Sequence, residues 1–162
     1  MKFSLTNEQS MIQNTAREFA RKKVAPIANE IDTTGKFPHE IIESLSELDF
    51  LGIMTSSRFG GLELSAFEFA IFIEEISAVS AALAVSLVTN ARFANDISVF
   101  GNDEQKEIYL PAHSKGEKLG AIAFTEPNGG SNWPMTARTH ATLDGDHTIL
   151  SMDRSVLFPM QA

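Results

Sequence analysis

The sequence predicts an α+β protein, in which an N-terminal all-α helical domain is followed by the first strands of an incomplete β-barrel-like domain. Over residues 1–117, apolar residues recur every three or four positions, as on the buried face of a helix. From 118 to 150 the pattern changes to short apolar runs separated by glycine-rich turns, which is typical of strands.

Composition and charge narrow the class of protein. The chain has 162 residues, of which 43% are hydrophobic, so it can bury a core and is not expected to be disordered. Its net charge of −8 would repel a phosphate backbone or an anionic membrane, so we expect no nucleic-acid partner. The opening residues, MKFSLTNEQS, contain no apolar signal core, and we therefore expect a cytoplasmic protein.

Thiol and metal chemistry are not expected. The chain has no cysteine, which excludes disulfides, thiolate metal sites and a thiol nucleophile. Its four histidines are too scattered in the sequence to form a local metal-binding pair: His39, His113, His140 and His147. We expect His39 and His113 to be exposed, and we assign no histidine to catalysis or to a metal.

The first helical segment is predicted over about residues 6–32. Thr6 and Gln9 fit a capping box at its start, and the apolar positions that follow recur at helical spacing. Pro26 lies inside this segment, where it removes a backbone donor. We therefore expect a kink or a break at this proline.

The next elements are marked by proline, glycine and a second capping box. Pro38 sits at a first-turn position of a second helix, which we expect to end at Gly52. The adjacent Gly60 and Gly61 indicate a loop, because tight turns need positive φ. Ser65, followed three residues later by a glutamate, predicts the start of a further helix.

The longest apolar stretch runs from Ala66 to Val88 and predicts one helix. Two adjacent carboxylates, Glu74 and Glu75, make membrane insertion costly by several kcal/mol, so we expect no membrane span. Neighbouring residues of a helix point about 100° apart, which disfavours a catalytic carboxylate pair. We interpret these carboxylates as packing or polar contacts with a neighbouring helix.

The remaining elements are short. Helices are predicted over 94–100 and from Asn102 to Pro111. A strand is predicted over 119–125, with a turn cluster at 127–130. The Asp-Gly-Asp sequence at 144–146, flanked by apolar runs, predicts a hairpin.

One segment of this second region resembles a known signature. Thr125-Glu126-Pro127-Asn128-Gly129-Gly130-Ser131-Asn132 is similar to T-E-P-x-x-G-S-D, the flavin-binding signature of the acyl-CoA dehydrogenases. Further stretches resemble that family in the same order: Phe3-Ser4-Leu5-Thr6, Phe37-Pro38, Phe59-Gly60-Gly61, Glu104-Gln105-Lys106 and Tyr109-Leu110-Pro111. The resemblance covers about residues 3–150, and the ordered set is more specific than any single stretch.

The resemblance implies a fold and a cofactor site. The family has an N-terminal helical domain, a middle β domain and a C-terminal four-helix domain, with FAD and an acyl-CoA thioester between them. Positions that contact FAD in the family match Ile122, Phe124, Thr125, Gly130 and Ser131, and Ser131 also matches a substrate contact. Adjacent glycines let main-chain amides approach an anion, and the two hydroxyls can bond flavin or pyrophosphate atoms. Asn132 replaces the family's usual aspartate, which keeps a hydrogen-bonding side chain and removes a charge.

The resemblance also implies an activity. The family oxidises acyl-CoA thioesters between the α and β carbons: a carboxylate removes the α proton while a hydride leaves the β carbon for the flavin. The electron acceptor expected from the family is an electron-transfer flavoprotein, and the intact enzymes are homotetramers. The family's catalytic glutamate lies in the C-terminal domain, so we assign no catalytic residue here. Two alternatives stay open, namely a non-catalytic helical fragment that is an interaction module or a non-functional gene product, and an acyl-CoA oxidase-like flavoprotein.

Residues 151–162 are interpreted as an aberrant C-terminal tail, because the sequence departs from the family pattern after Leu150. There the family continues L-N-G-x-K-x-[FW]-I-[ST]-N, and one back-translation of 151–162, shifted by two bases, restores it as N-G-S-K-R-F-I-S-N-A-G. The codons of Met152 and Asp153 allow only glycine as the second residue of the shifted frame. The codons of Met160 and Gln161 allow only alanine as its tenth residue. We hypothesise a frameshift near codon 151 and an early stop, with a diverged tail as the alternative. The coding DNA decides, because the hypothesis fails if no small insertion or deletion restores a frame that continues the family sequence.

Overall fold

The computed structural model describes residues 4–127 and 129–151. The chain divides into two compact units, Met1–Ile122 and Ala123–Ala162, which we call the helical unit and the hairpin unit. The described part is mostly helical with two antiparallel strands, which confirms the α+β prediction. The predicted aberrant tail lies outside the described residues, except for Ser151.

The N-terminal segment of the helical unit is interrupted where the proline predicts. Helix α1 spans Asn7–Phe19, a π-helical turn spans Ala20–Val24, and helix α2 spans Ala28–Thr34. The break at Pro26 is therefore confirmed, and so is the capping box of Thr6 with Gln9. The segment ends at Thr34, two residues beyond the predicted end. It stops there because the next residue, Gly35, has a left-handed conformation with φ 67°.

The second helix ends earlier than the sequence predicts. Helix α3 spans His39–Ser46, and a 3₁₀ turn follows at Phe50–Gly52. The expected end at Gly52 is wrong because Asp49 adopts a left-handed conformation, with φ 59°, through which an α-helix cannot continue.

The glycine pair at 60 and 61 has two different roles. Gly60 has a φ of 80° and follows the 3₁₀ turn Ser57–Phe59, as a tight turn requires. A Cβ on Gly61 would lie 2.1 Å from the carbonyl oxygen of Thr55. Positive φ therefore explains the first glycine, whereas close approach of two backbone segments explains the second.

The long apolar stretch forms two helices rather than one. Helix α4 spans Ala66–Ser77 and helix α5 spans Ala81–Phe100. Between them Ser80 is extended, with φ −144° and ψ 104°, and its hydroxyl accepts a hydrogen bond from the backbone N–H of Leu83. The separate helix predicted over 94–100 is the C-terminal part of α5.

Helix α6 begins where its cap predicts but ends later. It spans Asp103–Ser114, with Asn102 and Gln105 forming a capping box. The predicted end at Pro111 is wrong, because this proline lies in the last turns and removes only the one backbone hydrogen bond that its own nitrogen would donate.

The core of the helical unit lies between α1, α3, α4 and α5. Fully buried apolar side chains from these helices include Ala16, Leu45, Phe72, Ile76 and Leu83. At the edge of this core, Arg17 of α1 forms a two-hydrogen-bond ion pair with Glu75 of α4, which confirms the expected contact with a neighbouring helix. Within the described ranges, no helix is long and apolar enough to cross a membrane.

The hairpin unit contains a short helix, α7, at Trp133–Thr136, and the strands β1, His140–Asp144, and β2, His147–Ser151. The strands are antiparallel with Asp144 opposite His147, and Gly145 has a φ of 59°, which confirms the hairpin. Every residue of both strands is exposed. The strand predicted over 119–125 is wrong, because no described residue pairs with it in a ladder.

Candidate cofactor-binding site

The signature forms a closed turn, which we call the signature turn and define by the described residues 125–127 and 129–131. The backbone of Glu126 pairs with that of Gly129 in both directions, with N···O distances of 3.1 and 3.0 Å. Proline at position 127 favours such a turn because its ring fixes φ. The described residues of the turn predicted at 127–130 therefore lie in a turn, and residue 128 lies outside the described residues.

The side chain of Glu126 connects the signature turn to the residues before β1. Its carboxylate is buried, with 6% of the residue exposed. One oxygen accepts a hydrogen bond from the backbone N–H of Arg138 at 2.6 Å. The other accepts from the backbone N–H of Thr139 at 2.9 Å and from its hydroxyl at 2.6 Å. A single carboxylate thus joins two chain segments that are twelve residues apart.

The two glycines of the signature turn have different surroundings. A Cβ on Gly129 would lie 1.7 Å from Oγ1 and 2.7 Å from Cβ of Thr136, so α7 packs directly against this position. A Cβ on Gly130 would meet nothing closer than Cγ2 of Thr125, at 3.9 Å. Packing within the unit therefore requires glycine at position 129 only, and the space at Gly130 is open to a ligand.

The structure places four of the five candidate cofactor residues in the hairpin unit. Thr125 and Ser131 are exposed, Gly130 is half-buried, and Phe124 is 46% exposed. Within the part of the chain that the structure describes, neither the Thr125 nor the Ser131 hydroxyl has a hydrogen-bond partner. The fifth candidate, Ile122, is half-buried and ends the helical unit.

The segment that leads to Ile122 is held against α5 within the helical unit. The side-chain oxygen of Asn90 accepts a hydrogen bond from the backbone N–H of Gly120 at 2.8 Å. A Cβ on Gly120 would lie 2.2 Å from the ring of Phe93, so the backbone approaches α5 closely. This contact replaces the ladder that the predicted strand would have needed.

A buried histidine packs beside this contact. His113 is fully buried, so the expected exposure is wrong, whereas His39 is exposed as predicted. The Nε2 of His113 lies 3.1 Å from the carbonyl oxygen of Asn90. Because a carbonyl oxygen only accepts hydrogen bonds, this nitrogen is the donor. Burial lowers the pKa of His113, and the hydrogen bond to Asn90 opposes this effect in part.

Two residues, one in each unit, make contacts that were not predicted from the sequence. Glu126 is a letter of the signature, and Asn90 lies in an apolar helical stretch outside it. The signal for Asn90 was available, because an amide inside an apolar helix is usually buried and hydrogen-bonded. No comparable signal exists for Glu126, because its partners lie in a segment whose position depends on the fold.

The comparisons with known proteins agree with one another. Residues 6–117 match the family model described as acyl-CoA dehydrogenase, N-terminal domain. The chain is similar to the short-chain-specific acyl-CoA dehydrogenase of Clostridium acetobutylicum, with 38% identity over 152 residues that cover 93% of this chain and 40% of that relative.

Solved structures resemble the chain over the same extent. A chain in the structure of the electron transferring flavoprotein of Acidaminococcus fermentans has a TM-score of 0.85 and 35% identity, over 93% of this chain and 40% of that one. An acyl-CoA dehydrogenase of Bacillus anthracis complexed with FAD has a TM-score of 0.83 and 30% identity, over 91% of this chain and 26% of that one. The chain spans 34–40% of the length of the first curated relatives that it matches.

Proposed function

Because the chain belongs to the acyl-CoA dehydrogenase family, we propose that it is the N-terminal part of a FAD-dependent oxidoreductase that introduces a double bond between the α and β carbons of an acyl-CoA thioester. We propose an N-terminal helical domain over 1–117 and the start of a middle β domain over 118–150; the family model matched over residues 6–117 supports the first of these. No residue of this chain is assigned to removal of the α proton, so the proposal for the chain itself is cofactor binding.

The observation that carries the proposal is the combination of open backbone and unpartnered hydroxyls at the signature turn. FAD presents a polar ring edge and a pyrophosphate, which need hydrogen-bond donors and acceptors at the protein surface. Among the described residues, the Thr125 and Ser131 hydroxyls are exposed and lack partners, and a Cβ at Gly130 would occupy open space. These groups fit the cofactor that the related Bacillus anthracis dehydrogenase contains.

The candidate residues of this chain have different roles in the proposed cofactor binding. We propose that Thr125 and Ser131 donate hydrogen bonds to the cofactor, that Ile122, Phe124 and Gly130 contact it, and that Ser131 also contacts the substrate. Bound FAD would supply the acceptor for the hydride that leaves the β carbon. The phenyl ring of Phe124 contributes apolar surface that limits access of water to the cofactor.

Substrate, electron acceptor and assembly follow from the family. We propose an acyl-CoA substrate, an electron-transfer flavoprotein as the electron acceptor and a homotetramer for the intact enzyme. The similarity to a chain in the structure of an electron transferring flavoprotein supports the choice of acceptor.

FAD titration tests the proposal. The purified chain, and a chimera in which residues 1–150 replace the matching part of the Clostridium acetobutylicum relative, are titrated with FAD and followed by the flavin absorbance spectrum. We expect saturable binding, and we expect Thr125→Val and Ser131→Ala each to raise Kd about fivefold, because each removes one hydrogen bond. Thr142→Val, an exposed threonine of β1, is the matched control and should leave Kd unchanged.

Circular dichroism makes a negative result interpretable. If the chain and the chimera both show native helical content and neither binds FAD, the proposed function is wrong. A colourless chain that instead co-purifies with a full-length relative would favour the interaction module over the cofactor-binding role.

A further inference from the structure

We propose that Glu126 is the positioning residue of the signature turn: its carboxylate fixes the turn against the residues before β1 and so sets where the cofactor groups of Thr125 and Gly130 lie. This inference rests on the proposed function, because it assigns a task to one side chain of the same site. It goes further in naming a residue that touches no cofactor atom and acts through its neighbours.

The backbone of Glu126 closes the signature turn. Its N–H and carbonyl close the turn with Gly129. Thr125 precedes Glu126 directly and Gly130 follows Gly129 directly, so both ends of the backbone pair are covalently joined to a proposed cofactor contact. Any rotation of this pair would move the Thr125 hydroxyl and the Gly130 backbone together.

The side chain of Glu126 joins this turn to a second segment of the chain. Its two oxygens accept hydrogen bonds from two consecutive residues: from the backbone N–H of Arg138, and from the backbone N–H and hydroxyl of Thr139. Hydrogen bonds to a charged acceptor are stronger than neutral ones, and their strength increases in a buried site. Only 6% of the Glu126 residue is exposed, so water competes weakly for these donors. The turn is thus fixed in space by the side chain as well as closed by the backbone.

The donor set selects a carboxylate. In the part of the chain that the structure describes, the Glu126 oxygens accept hydrogen bonds from two backbone N–H groups, of Arg138 and Thr139, and from the Thr139 hydroxyl. A glutamine would present an NH₂ group to one of these donors, so one pair would become a contact between two donors. An aspartate keeps both acceptor oxygens and is one methylene shorter. Glu126→Gln therefore tests whether the turn requires a charged side chain with two acceptor oxygens. Glu126→Asp tests whether it requires the length of glutamate.

The first measurement is amide hydrogen exchange on the cofactor-free chain. In Glu126→Gln we expect the Arg138 or Thr139 amide to exchange about tenfold faster, because a hydrogen bond to a charged acceptor is lost. In Thr139→Val the hydroxyl bond is lost but both amides keep their acceptors, so their exchange should match the wild type. This readout needs no flavin.

The second measurement is FAD affinity with the flavin absorbance spectrum at saturation. We expect Glu126→Gln to raise Kd about tenfold and to alter the spectrum, while far-UV circular dichroism stays that of the wild type. Glu126→Asp should restore part of the affinity, and Thr139→Val should bind within about twofold of the wild type.

The outcomes distinguish this inference from the proposed function. Unchanged exchange in Glu126→Gln, or faster exchange with unchanged Kd and spectrum, overturns the positioning role while FAD binding by the wild type stands. If the wild-type chain and the chimera bind no FAD, the proposed function fails and the positioning role for the cofactor fails with it. Equal losses in Glu126→Gln and Thr139→Val would also contradict the inference, because they would indicate a general loss of the fold.

Discussion

The side-chain oxygen of Asn90, in the middle of α5, accepts the backbone N–H of Gly120 at 2.8 Å. Asn90 is 6% exposed and Gly120 is buried, so no water replaces this bond if the amide is removed. We predict that Asn90→Leu lowers the free energy of unfolding by about 1–3 kcal/mol, because it leaves a buried N–H without an acceptor. Urea denaturation of the chain measures the difference.

The matched control for this prediction lies on the same helix. Asn95 is exposed, and Asn95→Leu should change the free energy of unfolding by no more than about 0.5 kcal/mol. Equal effects of the two substitutions would show that the bond to Gly120 contributes nothing measurable.

His113 should make the helical unit sensitive to mild acid. Burial lowers its pKa below the ordinary 6.5, so between that value and its folded pKa the unfolded chain binds a proton that the native chain does not. Stability is therefore greatest above pH 6.5 and falls as the pH decreases, by at most about 1.4 kcal/mol per pH unit. Urea denaturation at intervals from pH 7.5 to about pH 5 measures this slope.

Two glutamine variants identify the source of the slope. His113→Gln cannot titrate and can still donate to Asn90, so we expect the dependence between neutral pH and about pH 5 to be reduced. His39→Gln, at an exposed position, should keep the wild-type slope. The account is contradicted if His113→Gln keeps the slope.

Glu68 should make the stability of the fold depend on pH in a more acidic range than His113 does. Hydrogen bonds from the Ser65 hydroxyl and from the Gln9 side chain lower its pKa from 4.5 to about 2. Because the folded pKa is depressed, the stabilisation is complete above about pH 4.5 and is lost as the pH falls towards 2. We expect the thermal midpoint of Glu68→Gln to depend less on pH across this window than that of the wild type. Glu40→Gln, at an exposed position of α3, is the control and should follow the wild-type curve.

Substitution by alanine should affect stability at one glycine of the signature turn and FAD affinity at the other. Gly129→Ala places a Cβ 1.7 Å from Thr136 Oγ1, so we expect the hairpin unit to lose about 1–3 kcal/mol of stability. Gly130→Ala meets only ordinary contacts, so its amide exchange should stay native while its Kd for FAD rises about tenfold or more. Wild-type FAD affinity in Gly130→Ala would argue against a cofactor at this position.

Local sequence signals predicted the starts of helices better than their ends. The Thr6, Ser65 and Asn102 caps depend on residues three positions apart, and all three are present in the structure. Helix ends depended on backbone conformations that composition does not reveal, such as the left-handed Asp49 and the extended Ser80.

Longer-range relationships limited the prediction of the site. The turn and the hairpin were predictable because their residues are neighbours in the sequence. The burial of His113 and the bond from Gly120 to Asn90 depend on how α5 and α6 pack, which periodicity alone does not determine. The contacts of Glu126 join residues 126 and 138–139, and no local pattern marks that distance.

The most direct test of the central claim is an FAD titration of the isotopically labelled chain, followed residue by residue through its backbone amide signals. The account predicts saturable shifts at Ile122, Phe124, Thr125, Gly130 and Ser131, with the amides of α1 and α3 unaffected. A folded chain whose signature turn amides do not move at saturating FAD, or whose shifts lie elsewhere, would contradict it.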